Sequence, residues 1–199
     1  MRLLYMNQGG KGHHGAIKYR DYDIICLAES DRNPDPSFFD SLYVSTDSIP
    51  ALSIWIQRGL GRVATAARDL DDVKGSTRPI VSFQIKSPLS GKNIHVVFGH
   101  LKSGNATKAD IEMSSVFPKL TEITGIGHDI LLIGDLNRVH PEMLTAYGLK
   151  LVECGGGQSH WNLDYVFASD GIADIVGSSI AAKAAADHGH IGISVTLDA

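Results

Sequence analysis

The chain has 199 residues, 43% of them hydrophobic and 20% charged, with a net charge of -4. That apolar share supplies a real core for one domain or two small ones and excludes a disordered chain. The mild acidity argues against a basic nucleic-acid-binding tail, although a catalytic metal and local basic residues can still hold a phosphate.

In chain order, residues 2–7 read as a first strand. Their apolar run is too short for a signal segment or a membrane span, so the chain is expected to be cytoplasmic as given, with no membrane span. A short helix is expected at 13–19, after the Gly9-Gly10 turn. Strands follow at 23–28, 52–56, 62–66, 80–85 and 94–98, each of ordinary strand length. Cys26 lies within an apolar strand and reads as a small buried residue. Cys154 precedes three glycines and reads as a loop residue. Two such cysteines give neither a disulfide framework nor a metal spacing.

Ile111, Val116, Leu120 and Ile123 are roughly helically spaced and predict a helix at 107–123, with Pro118 expected to kink it or reset its start. The run ILLI at 130–133 does not alternate and predicts a strand covered on both faces. Pro141 opens an expected helix at 141–147. Strands are expected at 163–168 and 191–197, while the Ala-rich stretch 178–186 is ambiguous. About nine or ten strands and three or four helices predict a layered α+β or α/β fold, most simply two packed sheets flanked by helices. With no repeat or linker, residues 1–199 are expected to form a single domain.

The informative pattern is where strands stop. YMN ends at Asn7, DIICLAE at Glu29 and HVVFGH at His100. LLIGDLN ends in Asp135 and Asn137, Asp164 opens DYVFA, and AADHGH carries Asp187 and His188. Each has an ordinary explanation alone: a turn asparagine, a solvated strand end, an Asx turn, a cap. Together they are oxygen ligands for a hard cation plus acid–base groups, placed where loops on a rigid sheet carry chemistry.

This ordered set resembles the endonuclease/exonuclease/phosphatase superfamily, whose fold is DNase I-like. Within it, STRPIVSFQI, GHLKSGN and GDLNRVHPEM are similar to segments of the B subunit of cytolethal distending toxins. The resemblance implies a four-layer αββα sandwich of two packed mixed β-sheets flanked by helices. It implies a phosphoric ester hydrolase using Mg2+, or Mn2+ or Ca2+. By the same resemblance Glu29, Asn7 and Asp187 would serve the metal. Arg78, Asn137 and Arg138 would bind substrate phosphate. His100, Asp135, Asn137, Asp164 and His188 would be catalytic, with His188 paired to Asp164 and Asp135 positioning or deprotonating the attacking water. The chain departs from the pattern at Ala28 (Gln in the family), Ala186 (Ser) and His190 (commonly Pro).

DNA is the expected substrate, cleaved with low sequence specificity. Lys11, Lys18, Arg20, Arg58, Arg62, Arg68, Lys102 and Lys108 are candidates for a basic rim along its backbone. A phosphoinositide or other phosphomonoester phosphatase is the alternative, and an inactive binding module on the same fold a further one. DHGH also resembles the metal segment of calcineurin-like metallophosphatases, but their early Asp-x-His and Gly-Asp-x-x-Asp are missing.

Overall fold

The computed structural model describes residues 1–9, 17–30, 33–45, 52–63, 65–70, 78–88, 90–101, 106–137, 140–155, 163–183 and 190–197. Two six-stranded mixed sheets pack face to face. The first has the order β11-β12-β1-β2-β4-β3, built from β1 (Arg2–Asn7), β2 (Ile24–Ala28), β3 (Phe39–Val44), β4 (Leu52–Gln57), β11 (Val176–Lys183) and β12 (Ile191–Leu197). The second has the order β5-β6-β7-β8-β10-β9. Its strands are β5 (Arg68–Asp69), β6 (Ile80–Lys86), β7 (Asn93–His100), β8 (Asp129–Asp135), β9 (Leu149–Gly155) and β10 (Asp164–Ser169). Each sheet has one parallel pair, β1 with β2 and β7 with β8.

Alternation decides which residues meet between the sheets. Leu3, Tyr5, Ile24, Cys26 and Ile54 from the first sheet pack against Phe83, Val96, Phe98, Leu131, Ile133 and Val166 from the second. Tyr5 and Phe98 meet edge to face, 5.8 Å between centroids. Each fully buried side chain of this size contributes roughly 1.5–3 kcal/mol. β8 is covered on both faces, as the run ILLI predicts: Leu131 and Ile133 face the other sheet, while Ile130 and Leu132 lie under a helix.

That helix, α1 (Ala106–Gly125), presents Ala109, Met113, Val116, Phe117, Leu120 and Ile123 to the second sheet. Pro118 neither resets nor ends it. The proline is on the exposed side, where the carbonyl it leaves without an N–H partner can turn to water. A short α2 (Pro141–Thr145) buries Leu144 beside β9. Over the first sheet, the described helical residues are the single turn Tyr19–Asp21. The helix expected at 13–19 falls mostly outside the described residues.

Three expectations change. Among the described residues of the expected strand 62–66, Val63 forms an isolated bridge to Ile85, and pairing resumes at β5. The ambiguous 178–186 stretch contributes to β11, an edge strand. β3 and β9 are strands that no apolar run announces.

Candidate active site

The strand ends named above meet at one edge of the sandwich. Asn7 and Ala28 are paired at the ends of β1 and β2, and Glu29 follows. His100 and Asp135 are paired at the ends of β7 and β8. β10 starts from the same edge with Asp164 opposite Asp135, and β12 starts at Ile191. The close approach of β7 and β8 depends on a glycine at position 134. Gly134 has φ 152° and lies against Gly99, and a Cβ on it would run into the Gly99 carbonyl. Gly134 is thus required by the neighbouring strand one residue before Asp135, rather than by a turn.

Asp135 is 1% exposed. Its Oδ2 accepts from Asn7 Nδ2 at 2.8 Å and its Oδ1 from the Asn137 N–H at 3.1 Å. His100 Nε2 and His190 Nε2 lie 3.5 and 3.6 Å from Oδ2. Burial pushes the Asp135 carboxyl up to about 7. The Asp164 charge adds to this, against the opposing His190 charge and the two hydrogen bonds.

Asp164 is fully buried and holds three hydrogen-bond partners. Oδ1 accepts from the Tyr5 hydroxyl at 2.6 Å and faces His190 Nδ1 at 3.1 Å, and Oδ2 accepts from the Ile191 N–H at 2.8 Å. A carboxylate only accepts, so Nδ1 is the protonated nitrogen and Nε2 is turned toward Asp135. Burial opposes a charge on His190. The hydrogen bond to Asp164 and the charges of Asp135, Asp164 and Glu29 outweigh it and raise the imidazole to about 9. Burial and the same carboxylates hold the Tyr5 phenol well above its ordinary value, so it stays a donor.

At the rim, Arg78 Nη1 reaches the Leu101 carbonyl and His100 Nε2, both at 2.9 Å, and Nη2 reaches Glu29 Oε1 at 3.3 Å. A guanidinium only donates, so His100 Nε2 is the acceptor in that contact. Asn137 Nδ2 donates to the same Leu101 carbonyl at 2.7 Å. Glu29 and Asn137 have φ of 46° and 45°. Asparagine tolerates this left-handed backbone, whereas glutamate adopts it at a cost of about 1–2 kcal/mol. Strain of this kind gathers where a side chain must be aimed.

The structure therefore brings together Asn7, Glu29, Arg78, His100, Asp135, Asn137 and Asp164. Arg138, Asp187 and His188 lie outside the described residues. Among the described residues the histidine set on Asp164 is His190; the expected His188 lies outside them. The Ile191 N–H is tied to one Asp164 oxygen, so the residue just before it is the one that meets the other oxygen. Asn7, expected at a metal, turns its amide N–H to Asp135, and its Oδ1 accepts from the Gly9 N–H at 2.9 Å. Tyr5 escaped notice because an aromatic inside an apolar strand reads as core. Its only signal is that it shares a strand face with Asn7, two residues on. Of the expected basic rim, Arg20 and Arg58 are paired with Asp35 and Asp40, and Arg68 lines a cavity beside His95 on the α1 side.

The donor set suits a divalent cation. Asp135, Asp164 and His190 each offer a ligand atom within 4.8 Å of the others. The Asp164 oxygens already hold three hydrogen-bond partners and the Asp135 oxygens two, which leaves the half-buried Glu29 as the more open carboxylate.

Two six-stranded mixed sheets packed face to face form the DNase I-like fold. Truncated TDP2 of Caenorhabditis elegans matches with a TM-score of 0.74 at 16% identity, over 100% of this chain and 97% of that one. The mannosyl-6-phosphatase of Bacteroides thetaiotaomicron matches at 0.68 and 13%, over 99% of both chains. The endonuclease domain of TRAS1, a telomere-specific non-LTR retrotransposon, matches at 0.66 and 13%, over 100% and 98%. At such identities the likeness is one of fold, and it does not carry the closer resemblance to cytolethal distending toxins. No protein-family model and no curated protein matches the sequence.

Proposed function

We propose that this chain is a divalent-metal-dependent phosphodiesterase, an endonuclease of low sequence specificity that cleaves DNA. The observation that carries the reading is Asp135: a buried carboxylate whose pKa is raised to about 7, backed by a histidine that a second buried carboxylate orients. A free aspartate is a poor base at neutral pH, and one raised this far is matched to the task.

In this reading a water molecule lies against Asp135, held also by Asn7. Its oxygen attacks phosphorus and its proton passes to Asp135. The ester P–O bond breaks and the leaving oxygen departs with the electron pair. His190, protonated and held by Tyr5 and Ile191 through Asp164, balances charge that builds on the phosphoryl oxygens. Arg78, His100 and Asn137 form the phosphate-facing rim, the guanidinium turning from Glu29 to the phosphate. Glu29 would hold the divalent ion, which would supply charge neutralisation at the phosphate and the leaving oxygen.

The same fold serves a sugar phosphatase, so substrate class is what the test must separate. Full-length protein with Mg2+ is given supercoiled plasmid, phosphatidylinositol phosphates and sugar phosphates at matched concentrations. Nicked plasmid with intact monoesters is expected. Monoester turnover with intact plasmid would move the assignment to a phosphatase, and no turnover of any of them would indicate a binding module.

A further inference from the structure

A second constellation lies on the outer face of the second sheet. Under α1 that face is apolar, with Val97, Ile130 and Leu132 buried. Beside them it turns polar. Gln84 and His95 are paired across β6 and β7, and His128, just before β8, reaches the same place. His95 Nε2 and His128 Nδ1 are 2.9 Å apart. Gln84 Nε2 is 3.1 Å from the second and 3.4 Å from the first. The two rings stack with centroids 5.1 Å apart.

Three side-chain termini thus meet in one hydrogen-bonded cluster, the two rings in contact with each other and the Gln84 amide against both. Bonds of about 2.1 Å to an ion place neighbouring ligand atoms roughly 3.0–3.4 Å apart, for octahedral to tetrahedral angles; the Gln84 contacts at 3.1 and 3.4 Å fall in that range, and an ion replacing the 2.9 Å ring–ring hydrogen bond would open it slightly. The surroundings also fit. His95 Nδ1 lies 3.3 Å from the hydroxyl of Ser82, a residue only 1% exposed. A partner on the far nitrogen of a ligating histidine fixes which nitrogen faces the ion. A cavity of about 160 Å³, lined by Arg68, Asp69, His95, Lys119 and Glu122 among others, opens onto the His95 ring. Rotating the Gln84 amide by half a turn brings its oxygen into the same cluster. Among the described residues no carboxylate or thiolate joins the pair, so the remaining positions would fall to water.

We propose that His95, His128 and Gln84 form a second metal site, selective for an imidazole-preferring dication of the zinc class over Mg2+ or Ca2+. It staples β6, β7 and the start of β8, at the far end of the strands that carry His100 and Asp135. The proposal stands independently of the phosphodiesterase reading.

Metal-free full-length protein is titrated with Zn2+ while the thermal midpoint is followed, and with Co2+ while visible absorption is followed. The variants are His128→Ala, at a half-buried position, Gln84→Leu, and Glu29→Gln to disable the strand-end site. Saturable binding at micromolar Zn2+ is expected in the wild type and in Glu29→Gln. It should weaken at least about tenfold in His128→Ala and by less in Gln84→Leu. Mg2+-supported hydrolysis should be unchanged in His128→Ala. Absence of saturable binding in the wild type, binding that survives His128→Ala, or binding lost only in Glu29→Gln would each overturn the proposal.

Discussion

At the scale of residues, the site rests on one carboxylate that others keep in place. Tyr5 and the Ile191 N–H hold Asp164, Asp164 orients His190, and His190 and Asn7 converge on Asp135. Polar residues at the ends of apolar runs were legible, because burial pressure explains the run but not its ending. The Asp164 partnership was not. Asp187-His188 fitted the expected motif and drew attention, whereas His190 appeared only as a departure from it. The two choices can be separated directly. His190→Gln is expected to lower the single-turnover rate on plasmid DNA by about 10²–10³-fold, the usual worth of a group that stabilises charge in the transition state. His188→Gln should lower it by less than about tenfold on the same scale. The opposite order would return the partnership to His188.

At the scale of elements, legibility follows position within the sheets. Interior strands such as β1, β2, β7, β8 and β10 carry apolar runs and were visible. The four edges, β3, β5, β9 and β11, were missed, misplaced or left ambiguous. An edge strand bonds to one neighbour and leaves many side chains in water, so its sequence has no run to detect. Both exposed residues of β5 and the exposed Asp40, Ser41, Lys150 and Leu151 show this. The edges do not deliver the site; the interior pair β7–β8 does, through the Gly99–Gly134 approach. Gly134→Ala should therefore separate these strands, lowering stability by about 2 kcal/mol or more and reducing turnover with it. Urea unfolding measures the first effect, and a wild-type midpoint would mean that the approach is looser than described.

At the scale of the whole molecule, two sheets sharing one core and one functional edge were legible from alternation and strand count. The count itself ran low because the edges were silent. Global stability has a pH dependence that sequence could not supply. Burial, with the charges of His128 and Arg68, lowers His95 from 6.5 to about 4. Between these values the unfolded chain takes up a proton that the folded one refuses. Stability is thus fully present above about 6.5 and declines as pH falls toward 4. The loss should be on the order of 1–2 kcal/mol, less than the whole shift implies because a cavity opens beside the ring. Urea unfolding in metal-free buffer at pH 7 and pH 4.5 checks this by comparing wild type with His95→Gln, which should lose less over that interval.

The proposed hydrolysis of a phosphodiester turns on Asp135, at the end of β8. The most direct test is the Mg2+-dependent nicking rate of supercoiled DNA for wild type and Asp135→Asn, which keeps the shape of the side chain and removes its basicity. The account predicts nicking that EDTA abolishes in the wild type and a rate about 10²–10⁴-fold lower in the variant. Equal rates for the two proteins would contradict it.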